Sequence, residues 1–103
     1  MSSLSPVAQR IREARVKTGL SQKSLGIAAG IDEFSASPRI NQYERGKHAP
    51  DFSMVERLAK ILDVPVAYFY AKEDWLAETI CFLGKLPESS RENVIERMER
   101  LFK

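Results

Sequence analysis

Apolar residues recur every three or four positions along most of the chain, which is the spacing of amphipathic helices. In the first segment Val7, Ile11 and Ala14 follow this rule, and the same spacing returns in later segments. No segment alternates between apolar and polar residues with a period of two, as a half-buried strand would. The pattern therefore predicts an all-α protein.

Capping residues predict where the first two helices begin and end. Ser5 followed by Pro6 is typical of an N-cap and a first helical position, and Gly19 is typical of a left-handed residue that ends a helix. Ser21 is a candidate N-cap for a short second helix, which Gly30 would terminate.

The third predicted helix has the most polar exposed side. Ser37 is expected to cap it, Pro38 to occupy its first turn and Gly46 to end it. Ile40 and Tyr43 would face inward at i and i+3. The residues left outside are Arg39, Asn41, Gln42 and Arg45.

Four further helices are predicted in the second half. Asp51 would cap the fourth, residues 66–70 form a short fifth, and residues 72–73 are a plausible junction. A sixth helix would start near Trp75 and end at Gly84. Residues 89–92 have the pattern of a capping box for a seventh.

Charge is distributed unevenly along the 103 residues. Residues 1–50 carry eight Lys and Arg against four Asp and Glu, or +4, whereas residues 51–103 carry −2. A basic first half would suit a polyanionic partner, although chance scatter of solvated side chains is an alternative.

Several classes of function are not expected from this composition. Cys81 is the single cysteine and His48 the single histidine, so neither a disulfide nor a metal cluster is expected, and no cofactor motif is present. We do not expect an enzyme, because the sequence offers neither a nucleophile paired with a base nor a pair of carboxylates that share a site. Without a long apolar run or a signal-peptide pattern, we expect a cytoplasmic protein.

Two short helices are predicted to be joined near a glycine, and the second exposes Arg, Asn and Gln side chains. This arrangement suits recognition of bases in the major groove. At this point the sequence resembles the Cro and lambda-repressor-like helix-turn-helix family, also called the Xre family. The resemblance covers roughly residues 7–71. It is carried by Ile11-Arg12, Ala14-Arg15, Gly19-Leu20-Ser21-Gln22, Leu25, Ala29-Gly30-Ile31, Ile40, Tyr43-Glu44-Arg45-Gly46-Lys47, Pro50, Leu58-Ala59 and Leu62-Asp63-Val64-Pro65.

The resemblance implies a five-helix lambda-repressor-like DNA-binding domain, which we place at residues 1–72. The two further predicted helices make residues 73–103 a C-terminal dimerisation or packing extension. The resemblance also implies that Arg15 and Glu44 form a structural salt bridge and that Gln22 binds a phosphate while bracing the base-reading side chains. The implied base-contacting residues are Ser37, Pro38, Arg39, Asn41 and Gln42. The expected phosphate contacts are Gln22, Lys23, Arg10, Arg45 and Lys47.

The chemistry of these side chains agrees with such roles. Arg39 can bond guanine bidentately, Asn41 or Gln42 can bond adenine in the same way, and the Pro38 ring can touch a thymine methyl group. Cations that contact phosphate set affinity and its salt dependence rather than the choice of sequence.

Two positions depart from the family pattern. Gly30 and Ile40 are ten positions apart where about six are usual, so residues 32–35 are predicted to be an insertion in the turn. This loop would either bulge into solvent or let Phe34 pack back onto the body, and its acids argue against contact with DNA. Gly26 replaces the usual alanine, which we expect to permit close approach of another helix at some cost to helix stability.

Apolar side chains in the last thirty residues allow two interpretations. The final two helices either pack within the chain on helices four and five, or form a dimer interface, which we favour because helix-turn-helix proteins bind paired half-sites. The predicted dimerisation residues are Trp75, Ile80, Leu83, Val94, Met98, Leu101 and Phe102.

The predicted function is a sequence-specific transcriptional regulator, chiefly a repressor of the kind found in phages and prophages. It would bind double-stranded DNA as a homodimer on an inverted repeat. An alternative is an antitoxin-type interaction protein, which would bind a partner toxin as well as its own operator. Copurification of a second protein would separate the two.

Overall fold

A computed structural model describes residues 5–103. Every regular element within these residues is an α-helix or a short 3-10 turn. The predicted all-α class is confirmed. Six α-helices follow in order: α1 (Val7–Thr18), α2 (Gln22–Ala28), α3 (Glu33–Glu44), α4 (Phe52–Leu62), α5 (Asp74–Gly84) and α6 (Arg91–Arg100). Two short 3-10 turns, Val66–Tyr70 and Glu88–Ser90, precede α5 and α6.

The helix ends follow local capping chemistry in the first half of the chain. Gly19 ends α1 at φ 78°, in the left-handed region that glycine adopts without a Cβ penalty. The side chain of Ser21 accepts from the N–H of Ser24 at 3.0 Å. Asp51 accepts from the N–H of Met54 at 2.8 Å, so both predicted N-caps are confirmed.

The prediction for the start of the third helix was wrong. α3 begins at Glu33, five residues earlier than expected, because the carboxylate of Asp32 accepts from the N–H of Phe34 at 3.1 Å and caps the helix there. Pro38 therefore lies inside the helix, where its missing N–H leaves one backbone bond unmade. Residues 33–35 are no inserted loop but the first turn of α3.

Smaller differences occur at other helix boundaries. α1 starts at Val7 with Pro6 in the cap position, and Ser5 still accepts from the N–H of Val7 at 3.3 Å. The predicted fifth helix is a 3-10 turn, which leaves five α-helical or 3-10 elements before residue 72. Gly84 is the last residue of α5 rather than its terminator.

The core is built by α1 to α4 and the first 3-10 turn. Its largest fully buried side chains are Phe69, Ile11, Leu25, Ile40, Leu58 and Val55. The face of α4 that carries Val55, Leu58 and Leu62 packs against α1, α2 and the first 3-10 turn. This core holds α2 and α3 in a fixed relation at one side of the molecule.

The last two helices differ in how they meet this body. α5 packs on the 3-10 turn of residues 66–70 through the buried Ala77. α6 packs mainly against the short turn that precedes it, and it has no buried residue. The radius of gyration is 15.6 Å, against about 13 Å for a compact chain of this length.

None of the helices within residues 5–103 is both long enough and apolar enough to cross a membrane.

Candidate nucleic-acid interface

α2 and α3 form a tightly packed pair joined by the turn of residues 29–32. A Cβ built on Gly26 of α2 would lie 2.7 Å from the Cβ of Ala36 on α3. The two backbones approach this closely only because Gly26 has no side chain, as the sequence had suggested. The close approach fixes the angle at which α3 is presented.

The structure pairs Arg15 of α1 with Glu44 at the end of α3. Nε and Nη2 of Arg15 donate to the two carboxylate oxygens at 2.6 and 3.0 Å, and Nη1 donates to the carbonyl of Leu20 at 3.1 Å. The Glu44 side chain is 4% exposed. The hydrogen bond to Glu44 raises the pKa of Arg15, so the pair stays ionised and ties α1 to α3.

Gln22, the first residue of α2, reaches across to α3. Its Nε2 donates to Oδ1 of Asn41 at 3.3 Å and to Oε1 of Glu44 at 3.1 Å. The contact leaves Nδ2 of Asn41 and a lone pair of its Oδ1 available to a ligand. Gln22 is thus placed to hold Asn41 in one orientation.

The solvent side of α3 carries a stripe of four residues. Phe34, Pro38, Asn41 and Arg45 are spaced i, i+4, i+7 and i+11, which places them on one line along a helix. The buried residues of the same helix, Ala36, Ile40 and Tyr43, lie on the opposite side. We call these four residues the outer stripe.

The five predicted base-contacting residues do not share one face. Pro38 and Asn41 belong to the outer stripe, and the half-buried Ser37 lies beside it towards α2. Arg39 is exposed but stands about 200° around the helix from Asn41, and Gln42 stands about 100° from it. Arg39 and Gln42 therefore occupy the flank of α3, away from Gln22.

Three arginines line an open notch at the end of the outer stripe. They are Arg12 and Arg15 of α1 and Arg45, and the notch is completed by Gln22, Asn41 and Glu44. Lys23 and Lys47, which were predicted to contact phosphate, are both exposed. Lys23 lies at the start of α2, and Lys47 follows the end of α3. Arg12 was missed as a candidate, although an exposed arginine next to the core residue Ile11 was a usable signal.

The prediction that Arg10 contacts phosphate is corrected by its burial. Arg10 is 2% exposed, and its guanidinium donates to the carbonyls of Ala71 and Lys72 at 3.0 and 3.1 Å. It also pairs with Glu13 at 2.9 Å and Asp74 at 3.0 Å. Burial opposes its charge, but these carboxylates outweigh burial and raise the pKa of Arg10. Its Nε, Nη1 and Nη2 all donate to groups of the protein itself.

The predicted dimerisation residues fall into two groups. Trp75, Leu83, Met98, Leu101 and Phe102 are exposed, so the structure leaves their apolar surface uncovered. Ile80 and Val94 are half-buried, and Ile80 packs against the core, so dimerisation through these two residues stays a prediction. Phe82 and Ile95 were missed, although both are exposed next to the predicted positions.

A short helix packed at a fixed angle behind an exposed second helix, with a polar stripe and cations around it, defines a helix-turn-helix DNA-binding module. The family model described as helix-turn-helix matches residues 11–69. The chain belongs to this family, in its Cro and lambda-repressor-like branch.

Named relatives and one solved structure resemble the chain. A cryptic phage CTXphi transcriptional repressor, RstR, from Vibrio cholerae is 30% identical over 91% of this chain and 86% of its own length. An uncharacterized HTH-type transcriptional regulator from Sinorhizobium medicae is 36% identical over 62% of this chain, which spans 43% of that relative. The crystal structure of the transcriptional regulator BswR is 44% identical over 90% of this chain and 92% of its own, with a TM-score of 0.83.

Proposed function

We propose that this chain is a sequence-specific DNA-binding transcriptional regulator, acting as a repressor, that reads the major groove with α3. The observation that carries the proposal is the outer stripe, in which Gln22 holds Asn41 in place while Arg12 and Arg45 line the notch beside it. A major groove about 12 Å wide admits one helix, and phosphates flank it on both sides. A polar stripe bordered by cations matches that arrangement of charge.

Base recognition falls to Asn41, Pro38 and Ser37 in this proposal. Asn41 has the donor and acceptor needed for a bidentate bond to adenine, worth about 1–3 kcal/mol of discrimination. Arg39 and Gln42 would reach bases or backbone from the flank of α3. Glu44 lies beside Asn41 and Arg45, and its charge is paired with Arg15.

Phosphate binding falls to Lys23, Arg12, Arg45 and Lys47, because Gln22 already donates from its Nε2 to Asn41 and Glu44. Each cation that neutralises a phosphate releases a counterion, so these residues would set affinity and its dependence on salt. They carry no information about sequence.

Residues 73–103 would form a dimerisation extension. Large apolar side chains on α5, on α6 and just after α6 are exposed, and a second copy would cover them. A symmetric dimer presents two copies of α3 to half-sites about 34 Å apart on an inverted repeat. The similarity to a phage repressor over most of both chains supports repression as the outcome.

Selection of bound duplexes from a random pool, with the mass of the complex measured alongside, tests the proposal. We expect an inverted repeat and two chains per site. Asn41→Ala should lose discrimination at one base pair per half-site, whereas Lys47→Ala should weaken binding to all duplexes and reduce the salt slope by about one. Lys60→Ala, on the exposed side of α4, is the control and should change neither.

Each outcome separates the proposal from its competitors. A purified protein without preference among duplexes at moderate salt would contradict sequence reading. Copurification of a second protein that covers the α5 and α6 surface would favour the antitoxin-type alternative over a homodimer.

A further inference from the structure

Phe34 is an exposed aromatic side chain on the first turn of α3. Its side chain is 84% exposed, and Asp32 fixes the turn by accepting from the Phe34 N–H. The ring stands well apart in sequence from the apolar residues of α5 and α6. Covering so exposed a ring with an apolar group of a partner would be favourable.

The position of Phe34 on α3 indicates what the ring would meet. It stands at the N-terminal end of the outer stripe, one turn before Pro38 and two turns before Asn41. Helix-turn-helix reading helices approach base edges with their N-terminal residues. The stripe thus has an apolar half, Phe34 with Pro38, and a polar half, Asn41 with Arg45.

The 5-methyl group of thymine is the apolar feature that base pairs present in the major groove. Resting on the proposed function, we infer that Phe34 is a specificity-determining residue that selects thymine by packing on this methyl group. Phe34 is continuous with the proposed base-contacting residues Pro38 and Asn41, and this continuity favours a duplex over an apolar protein segment as the occupant, although the acids Asp32 and Glu33 precede the ring.

The spacing along α3 restricts the sequence that this apolar half selects. Phe34 and Pro38 are separated by about 6 Å along the helix axis, because each residue rises about 1.5 Å. Base pairs in a duplex are about 3.4 Å apart. Each half-site should therefore contain two thymines within roughly two base-pair steps of each other, outside the base pair that Asn41 reads.

Replacement of each thymine in the selected duplex by deoxyuridine tests the inference, because deoxyuridine lacks the methyl group and keeps the same hydrogen-bonding edge. The wild-type protein should lose about fivefold in affinity at one thymine that Phe34 contacts. Phe34→Ala should bind the thymine duplex more weakly and be indifferent to deoxyuridine at that one position. Ser35→Ala, an exposed neighbour about 100° around the helix, is the control and should keep the wild-type response.

Failure of the inference is distinguishable from failure of the proposed function. A wild-type protein that selects a sequence but is indifferent to deoxyuridine at every thymine overturns methyl reading alone. A Phe34→Ala variant that still loses as much affinity with deoxyuridine as the wild-type protein also overturns it. A Phe34→Ala variant whose mass falls to that of a monomer overturns it as well. A wild-type protein with no sequence preference overturns both proposals.

Discussion

Tyr68 shows how one buried side chain ties the first helix to the end of the DNA-binding module. Its hydroxyl donates to Oε2 of Glu13 at 3.2 Å, and the guanidinium of Arg10 lies 5.8 Å from its ring centre. Burial, together with the negative charge of Glu13, raises the pKa of Tyr68 to about 12. The folded protein therefore favours the neutral phenol.

The raised pKa predicts a loss of stability in alkali. Since the folded pKa exceeds the ordinary value of about 10, the contribution of Tyr68 is complete below pH 10 and disappears as the pH rises towards 12. Tyr68→Phe should cost about 1 kcal/mol of unfolding free energy at pH 8, and this difference should shrink by pH 11.5. Urea unfolding at several pH values measures it.

A matched variant isolates the effect of Tyr68 from other groups that titrate in alkali. Tyr70 is 49% exposed and adjacent in the same turn, so Tyr70→Phe should follow the wild-type protein at every pH. A Tyr68→Phe difference that stays constant from pH 8 to 11.5 would contradict the raised pKa.

Individual residues differed in how well the sequence predicted them. The pairing of Arg15 with Glu44 follows from the resemblance, and the structure contains it. The burial of Arg10 was beyond sequence reasoning, because its partners are carbonyls more than sixty residues away that only the folded chain brings near. An arginine near the start of a basic segment resembles a phosphate contact until those carbonyls are known.

At the scale of elements, α3 shows how a strong local signal can mislead. Ser37 followed by Pro38 is a better helix start by composition than Asp32 followed by Glu33. The packing of Ala36 against Gly26 nevertheless stabilises the earlier turn, so the helix continues through the proline. Contacts between α2 and α3 outweigh the backbone bond that Pro38 cannot make.

This packing predicts that Gly26→Ala destabilises the protein, against its helix propensity. Alanine would favour α2 by up to about 1 kcal/mol. Its Cβ, however, would stand 2.7 Å from the Cβ of Ala36 and 2.9 Å from its backbone, and such overpacking costs about 1–3 kcal/mol. The net loss should appear as a lower midpoint of urea unfolding.

The control lies in the same helix. Lys23 is exposed on α2, so Lys23→Ala gains helix propensity without a new contact and should leave stability unchanged or slightly higher. A Gly26→Ala variant as stable as Lys23→Ala would show that α2 and α3 can separate at no cost.

At the scale of the whole molecule, α6 is the least integrated element. Apolar side chains line one side of it, including Ile95 and Met98, while the charged side carries Glu96 and Arg100. The sequence predicted both the helix and its apolar side. It could not decide whether that side packs inside the chain, because periodicity does not identify a helix's neighbour.

The proposed dimer predicts that Ile95→Gln with Met98→Gln yields a monomer. Each side chain that leaves an apolar interface costs about 1.5–3 kcal/mol, so the dimer dissociation constant should rise about 100-fold or more. Sedimentation equilibrium measures this constant. Glu96→Gln with Arg100→Gln changes the opposite side of the same helix without altering net charge, and it should remain dimeric.

Arg10 has a mechanical consequence for any dimer built through the extension. By bonding both carbonyls at residues 71 and 72 and the carboxylate of Asp74, it clamps the segment that leads into α5. These bonds restrict rotation of α5 relative to the DNA-binding domain. One base pair added to the spacer rotates the second half-site by about a tenth of a turn of duplex, and twisting of the DNA itself would have to absorb most of that mismatch.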